Sequence, residues 1–173
     1  IESFYRVLKE FGDDIGVIIM EPQRGIPPKD NFLRKIREYA NKNNIVLIFD
    51  EITCAWRLDT SGAHKNFGVN PDIAVFGKTM ANGIPMGAII GRKHIMKFEI
   101  KTFISSVFWT EKIGPACALA FIKKHKKLNV AKKLISVGKK VKNIWIEAAK
   151  ANNLEIEISG IDPLAGFKIQ SNS

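Results

Sequence analysis

The sequence is poor in the residues that build disulfide frameworks, metal centres and membrane spans. Its 173 residues include two cysteines and three histidines, too few and too scattered for a disulfide scaffold or a zinc ribbon. We therefore expect a reducing, cytoplasmic compartment, and we expect each histidine to be a surface or capping residue rather than a metal ligand. The longest apolar runs span five or six residues, whereas a membrane-spanning helix needs ~20, so no membrane partner is expected.

The ends of the sequence lack the features of a whole chain. No methionine or signal-peptide pattern opens it, and its last residues follow directly on a strand-like run. A composition of 46 % hydrophobic and 25 % charged residues is ordinary for a globular protein and argues against disorder. We therefore expect a folded fragment, cut at both ends.

Acidic residues are fewer than basic ones, and the excess positive charge is concentrated in one tract. The net charge is +10, and residues 121–150 hold ten lysines and one acid. Such a tract can bind nucleic acid, but it contains no arginine and its apolar residues recur at helical spacing. That spacing predicts one buried helical stripe with a solvated lysine face, so we expect no nucleic-acid partner. The stripe comprises Val130, Leu134, Val137, Val141, Ile144 and Ala148.

Short apolar runs separated by turn residues predict an α/β fold. A helix of about twelve residues, capped by Asp30 or Asn31, separates the first two runs. Runs that are apolar on both faces indicate a parallel sheet covered by helices. The fourth run follows the third too closely for a crossover helix, so we expect it to run antiparallel. The predicted strands are 15–20, 45–49, 73–76 and 87–90.

The second half of the sequence changes character twice. From residue 115 the pattern is helical to about residue 152, and residues 154–158 then alternate as a half-exposed strand does. We therefore predict three parts. They are the second half of a large α/β domain at 1–120, a basic helical connection at 121–152, and the start of a truncated α+β domain at 153–173.

Polar side chains follow three of the predicted strands, where ligands bind in open parallel sheets. Glu21, Asp50 and Lys78 lie at these strand ends. Asp50 follows five apolar residues, so a cation partner is expected, because an unpaired buried charge is costly. Lys78 follows a strand and Gly77, and a lysine desolvated there becomes an amine nucleophile. The pattern therefore indicates a site for nucleophilic or acid–base chemistry.

These residues suit two interpretations, a pyridoxal phosphate site and the nucleotide site of an NTPase. Pyridoxal phosphate needs a carboxylate to keep its pyridine nitrogen protonated and a lysine to hold its aldehyde, and Asp50 and Lys78 supply both. Alternatively, Asp50-Glu51 after an apolar run is typical of a Walker B strand, and Gly77-Lys78-Thr79 is similar to the end of a P-loop. That loop needs a glycine where Asp72 stands, and the acidic strand comes first, so an NTPase is the weaker hypothesis.

Five motifs in one order favour the first interpretation. They are Met20-Glu21-Pro22, Leu47 to Arg57, Pro71 to Lys78, Gly83 to Ala88, and Gly114-Pro115. Together they resemble the class III pyridoxal-phosphate aminotransferases of fold type I, and within them the glutamate-1-semialdehyde aminomutase-like branch. The resemblance implies the second half of the large cofactor domain, a mostly parallel sheet with flanking helices, followed by the start of the small α+β domain.

The resemblance also implies roles for individual residues. Asp50 matches the acid that pairs with the pyridine nitrogen, and Ile52 matches the residue that packs on one face of the ring. Lys78 matches the Schiff-base lysine, which also moves a proton between substrate and cofactor. Thr110 matches a threonine that reaches the cofactor phosphate of a neighbouring subunit, which implies a homodimer. Thr53 departs from the family, in which glutamine is frequent at this position.

The implied function is amino-group transfer between a small-molecule amino donor and a carbonyl acceptor, by an aminotransferase or an aminomutase. The family's phosphate-binding loop and ring-stacking aromatic would lie upstream of Ile1, so we expect the chain alone to be inactive. Trp109 is a candidate for lining the substrate pocket. The alternative from another class is a non-catalytic fragment or an interaction domain that uses the basic helical face.

Overall fold

A four-stranded sheet forms the larger part of the protein. In this computed structural model, which describes residues 2–105, 107–108 and 110–170, the strands lie in chain order across the sheet. The first three are parallel and the fourth is antiparallel, which confirms the predicted α/β fold and the reversal of the last strand. The strands are β1 (Val17–Met20), β2 (Val46–Asp50), β3 (Ile73–Phe76) and β4 (Ala88–Gly91).

Helices flank this sheet and lead to a separate β-hairpin. In the part of the chain that is described, no helix is long and apolar enough to cross a membrane. The remaining elements are α1 (Glu2–Phe11), α2 (Phe32–Lys42), α3 (Lys93–Met96), α4 (Ile113–Leu128), α5 (Val130–Ala151), β5 (Ile156–Ser159) and β6 (Gly166–Ile169). Strands β5 and β6 pair antiparallel, and short 3-10 turns occur at 12–14, 63–67, 78–81, 99–101 and 162–164.

One hydrophobic cluster holds β2 in the middle of the sheet. Leu33, Ile36 and Ala40 recur at helical spacing on α2 and are buried. They pack with Leu47 and Phe49 of β2, both 0 % exposed. Burying a side chain of this size stabilises a fold by about 1.5–3 kcal/mol. The cluster therefore fixes the strand that ends at Asp50.

A second cluster joins the loop after β2 to β3 and α4. The Trp56 ring centroid lies 5.8 Å from that of Phe76 and 5.5 Å from that of Phe121. Met80 and Ala118 are buried in the same cluster. Aromatic pairs at these separations stabilise a core beyond their buried area. The loop after β2 is thus packed between a strand and a helix.

The predicted side-chain cap of α2 is wrong. Asn31 occupies the N-cap position, but its side chain forms no capping hydrogen bond. Asp30 and Asn31 have left-handed backbones, with φ of 54° and 56°, whereas a side-chain N-cap needs an extended residue. The helix starts instead from a backbone turn, in which the Phe32 amide donates to the Lys29 carbonyl at 2.9 Å.

The predicted buried stripe of the basic tract is also wrong. Val137 and Ile144 are 58 % and 60 % exposed, whereas the buried residues of α5 are Ala131, Gly138 and Ala149. Each buried residue follows a stripe position by one, so the packed face is rotated by about 100° from the expected one. Small side chains select this face because a backbone turn, residues 162–164, lies against the helix.

The structure adds a helix boundary and a tertiary contact to the description of the basic tract. The stretch is helical as predicted, and Asn129, with a left-handed φ of 50°, separates α4 from α5. Lys142 is not solvated, because its Nζ donates to the Gly160 carbonyl at 2.8 Å and to Asp162 Oδ1 at 3.0 Å. The tract is therefore two helices, and Lys142 ties the second to the turn that follows β5.

Gly138 provides a test of this packing. A Cβ on Gly138 would lie 1.9 Å from the Asp162 carbonyl oxygen, so Gly138→Ala must displace backbone. We expect a loss of about 1–3 kcal/mol in the free energy of unfolding, although alanine is the better helix former. Urea denaturation measures this loss. Gly16→Ala is the control, since a Cβ there meets nothing within 4 Å. Equal stability of the two variants would contradict the packing.

Candidate active site

The carboxyl ends of β1, β2 and β3 lie at one edge of the sheet. The three strands are parallel, with Met20 paired to Phe49 and Asp50 paired to Val75. The residues that follow them, Glu21 and Lys78, therefore come to the same edge as Asp50. The sequence pattern predicted this convergence.

Asp50 is the last residue of β2 and is half-buried. Its Oδ1 accepts a hydrogen bond from the Ile52 amide at 2.9 Å, a local turn that fixes the orientation of the carboxylate. Among the described residues no cation pairs with it, so the expected cation partner is not found within this chain. The second oxygen, Oδ2, is left to accept a hydrogen bond from a ligand.

Lys78 begins the turn after β3 in an unusual backbone conformation. Its φ is 51°, a left-handed geometry that costs a non-glycine residue of order 1 kcal/mol. The side chain is exposed, so the desolvation predicted from the strand end is wrong for this chain. Its Nζ donates a hydrogen bond to Thr53 Oγ1 at 2.8 Å. The amine is thus directed toward the loop that follows Asp50 at the end of β2.

Ile52 contacts both segments, through its amide on Asp50 and its side chain beside Gly77. A Cβ on Gly77 would meet the Cγ1 and Cγ2 atoms of Ile52 at 3.6 Å, so Ile52 packs beside the residue that precedes Lys78. The structure therefore brings together a carboxylate, a branched apolar side chain, a hydroxyl and an amine. We call this group the candidate site; it comprises Asp50, Ile52, Thr53 and Lys78.

Thr110 is not part of this group within one chain. It lies in an exposed turn before α4, and among the described contacts none joins it to Asp50 or Lys78. Its role across a subunit interface stays a prediction, and Trp109 lies outside the described residues. The sequence analysis missed the neighbouring Glu111, whose carboxylate accepts the amides of Ile113 and Gly114 and so caps α4.

The sequence analysis also missed the role of Glu51, which faces the interior. It is 0 % exposed, and its carboxylate accepts hydrogen bonds from the amides of Ala63 and His64 at 2.7 and 2.8 Å. The His64 ring Nδ1 donates at 2.7 Å and the Cys54 thiol at 3.2 Å. Strand alternation could have indicated this, because the residue after Asp50 points to the opposite face.

These contacts change the acidity of both groups. Burial raises the pKa of Glu51, but the hydrogen bonds from His64, Ala63 and Cys54 outweigh it and hold the pKa below its ordinary value. Burial raises the pKa of the Cys54 thiol, and the adjacent Glu51 carboxylate raises it further. Glu51 is therefore a carboxylate in the folded protein, and Cys54 is an unreactive thiol.

A buried histidine holds the same loop from the other side. His125 is 2 % exposed; its Nε2 donates to the Trp56 carbonyl at 2.7 Å, and its Nδ1 accepts from the Thr60 hydroxyl at 2.7 Å. The carbonyl can only accept, which assigns the proton to Nε2. The expectation of surface histidines is therefore wrong for His64 and His125, which anchor buried loop backbone.

The Glu51 contacts predict how stability depends on pH. The pKa of folded Glu51 lies below the ordinary value of 4.5. The contribution of ionised Glu51 to the free energy of unfolding is therefore fully present above pH 4.5. It is lost as pH falls through the lowered pKa. Glu51→Gln should remove this dependence and cost about 1–3 kcal/mol at neutral pH, since an amide cannot satisfy all the donors.

Unfolding free energies of wild type and Glu51→Gln, measured between pH ~3 and ~7, test this prediction. Glu147→Gln on the exposed face of α5 is the matched control. A Glu51→Gln curve parallel to that of the wild type would contradict the assignment of the acid-sensitive stability to Glu51.

Comparisons with known proteins identify the family to which the sequence is similar. The family model described as "Aminotransferase class-III" matches residues 1–171. A glutamate-1-semialdehyde 2,1-aminomutase of Legionella pneumophila (strain Lens) is 30 % identical over 174 residues, covering 96 % of this chain and 41 % of the relative. The Methanocaldococcus jannaschii aminomutase is 44 % identical over 100 residues, covering 56 % of this chain and 24 % of the relative.

Solved structures share the fold. The FumI protein of Sphingopyxis sp. MTA144, in its PLP internal aldimine form, aligns with a TM-score of 0.89 at 20 % identity, over 99 % of this chain and 43 % of its own. An omega-transaminase from Sphaerobacter thermophilus gives 0.86 at 22 % identity, over 100 % and 41 %. The chain thus spans about two fifths of the length of these proteins.

Proposed function

Because the chain belongs to the class III aminotransferase family, we propose that it carries the catalytic part of a pyridoxal-phosphate-dependent enzyme that transfers amino groups. The family uses pyridoxal phosphate, and the candidate site supports its binding here. The observation that carries the proposal is the convergence of Asp50 and Lys78 at the carboxyl edge of the sheet, where Ile52 packs beside Gly77.

The residues of the candidate site fit the functional groups of this cofactor. The bound cofactor supplies an electron sink that stabilises negative charge on the substrate carbon. Asp50 Oδ2 would accept the hydrogen bond of the pyridinium nitrogen, and the Ile52 amide already orients that carboxylate. Ile52 would cover one face of the ring. Lys78 Nζ would hold the aldehyde carbon and carry the proton that moves during transfer.

The names of the relatives bear on the choice between aminomutase and aminotransferase. The curated relatives described above are glutamate-1-semialdehyde 2,1-aminomutases, which favours a mutase that converts one substrate into its own isomer. A transaminase would need a separate carbonyl acceptor. Turnover of a single amino aldehyde with no oxo acid present supports the mutase, whereas turnover that requires the oxo acid supports the transaminase.

We further propose that the enzyme is a cytoplasmic homodimer in which Thr110 reaches the partner's cofactor phosphate. Large apolar residues near Thr110 are exposed in the single chain: Ile100 is 84 % exposed, Phe103 96 % and Val107 90 %. Exposed apolar surface of this extent is typical of an interaction site. The two free cysteines, Cys54 and Cys117, support a reducing compartment.

An interaction domain is the second candidate, and one observation favours it. The apolar stripe of α5 is exposed beside a lysine face, with Val137 and Ile144 more than half accessible. A helix of this kind can dock on another surface. Loss of a partner upon replacing both residues with serine, with unchanged cofactor binding, would support this function in addition to catalysis.

Labelling of Lys78 tests the cofactor assignment. When the full-length protein is incubated with pyridoxal phosphate and reduced with borohydride, peptide mapping should locate the pyridoxyl group on Lys78. Lys139 and Lys140, exposed on α5, report background labelling. The 173-residue chain alone should label weakly and transfer no amino groups, because it covers only 41 % of a relative's length. A dominant label on another lysine would refute the assignment.

Asp50 provides the second test. Asp50→Ala in the full-length protein should lower the rate of amino-group transfer by about 10²–10³-fold, because the ring nitrogen loses a charge-assisted partner. Asp50→Asn keeps the shape and the acceptor but removes the charge, so it separates the charge from the packing. Rates equal to wild type in both variants would remove Asp50 from the site.

A further inference from the structure

Thr53 and Lys78 form a contact that joins two loops of the candidate site. Lys78 Nζ donates to Thr53 Oγ1 at 2.8 Å, and the residues are 25 positions apart. Thr53 belongs to the loop after β2, the strand that ends at Asp50, and Lys78 opens the turn after β3. The hydrogen bond therefore sets where the amine lies relative to the carboxylate.

Both partners are held by their backbones. The Thr53 carbonyl accepts a hydrogen bond from Arg57 Nη1 at 2.6 Å, and the adjacent Ile52 amide is bound to Asp50 Oδ1. Lys78 keeps a left-handed backbone with φ of 51°, which fixes the direction in which its side chain leaves the turn. The Thr53 hydroxyl thus lies at a defined place within reach of the amine.

The chemical nature of the acceptor matters as much as its position. A hydroxyl is neutral, so it holds the amine by one hydrogen bond without the Coulomb attraction of a carboxylate. Among the described residues Lys78 forms no ion pair. A long lysine side chain has many rotamers. A neutral hydrogen-bond partner reduces the number that are populated and leaves the amine able to move to a carbonyl carbon.

We infer that Thr53 is a positioning residue for Lys78, which keeps the amine beside Asp50 and Ile52 in readiness for the cofactor aldehyde. The inference rests on the proposed function and adds a role for the side chain at position 53. In the capture step a carbon–nitrogen double bond to Nζ replaces the carbon–oxygen double bond of the aldehyde, and the oxygen leaves as water with the two hydrogens of the neutral amine. The hydroxyl acts on the approach of the amine, so its removal should change how fast Lys78 captures the aldehyde rather than how stable the fold is.

The test measures aldehyde capture directly. Full-length apo-protein is mixed with pyridoxal phosphate, reduced with borohydride at increasing times, and the label on Lys78 is quantified by mass spectrometry. Thr53→Val should slow capture by about tenfold, the equivalent of one hydrogen bond, and Thr53→Ser should restore a rate close to wild type. Thr102→Val is the matched control, because its hydroxyl donates to the Glu99 carbonyl in an exposed turn outside the site.

Each outcome has a distinct meaning. Slow capture in Thr53→Val, recovery in Thr53→Ser and unfolding midpoints equal to that of Thr102→Val would support positioning by the hydroxyl. Wild-type capture in Thr53→Val, or equally slow capture in both Thr53 variants, would overturn the inference while Lys78 labelling still supports the proposed function. Absence of label on Lys78 in the wild type would overturn the proposed function, and the inference with it.

Discussion

The candidate site depends on one buried charge, the carboxylate of Glu51. Hydrogen bonds from the amides of Ala63 and His64, the His64 ring and the Cys54 thiol converge on it. A buried carboxylate without such partners would cost several kcal/mol, so the chain from 51 to 64 must close around it. The positions of Asp50 and its neighbours are therefore set from the interior.

The other side of that loop is fixed to α4. Trp56 has a φ of 65°, a conformation that costs of order 1–3 kcal/mol and persists only where the surroundings impose it. Its amide donates to the Asp59 carbonyl at 2.9 Å, its carbonyl accepts from His125, and its ring packs on Phe76 and Phe121. A displacement of α4 would therefore strain the loop that carries the candidate site.

The strands of the sheet were predictable because a short stretch of sequence is enough to indicate each one. Each strand is a short run that is apolar on both faces and bounded by turn residues, and the observed strand β3 has the predicted bounds. The convergence of Asp50 and Lys78 follows from parallel topology alone. These features need no knowledge of what lies across the molecule.

The errors concern features that depend on distant parts of the chain. On α5, large apolar residues and small residues lie on adjacent faces, and the choice between them is made by the turn at Asp162, whose carbonyl fits only against Gly138. The hydrogen bond between Thr53 and Lys78 joins two different loops, and no repeating sequence pattern indicates that these residues meet. The prediction of a side-chain cap for α2 was wrong because Asn31 has a left-handed backbone conformation there.

The two neighbouring acids at the end of β2 show how one strand serves both the fold and the site. Successive side chains point to opposite faces. Glu51 therefore accepts hydrogen bonds in the interior, whereas Asp50 is half-buried and has one local donor. Among the described residues, Asp50 and Lys78 do not pair with each other, and Lys78 is bound to the neutral Thr53 instead. An ion pair between them would satisfy both groups, and a ligand would have to break it. Because they are not paired, the carboxylate and the amine are both left for separate groups of one ligand, as the proposed cofactor role requires.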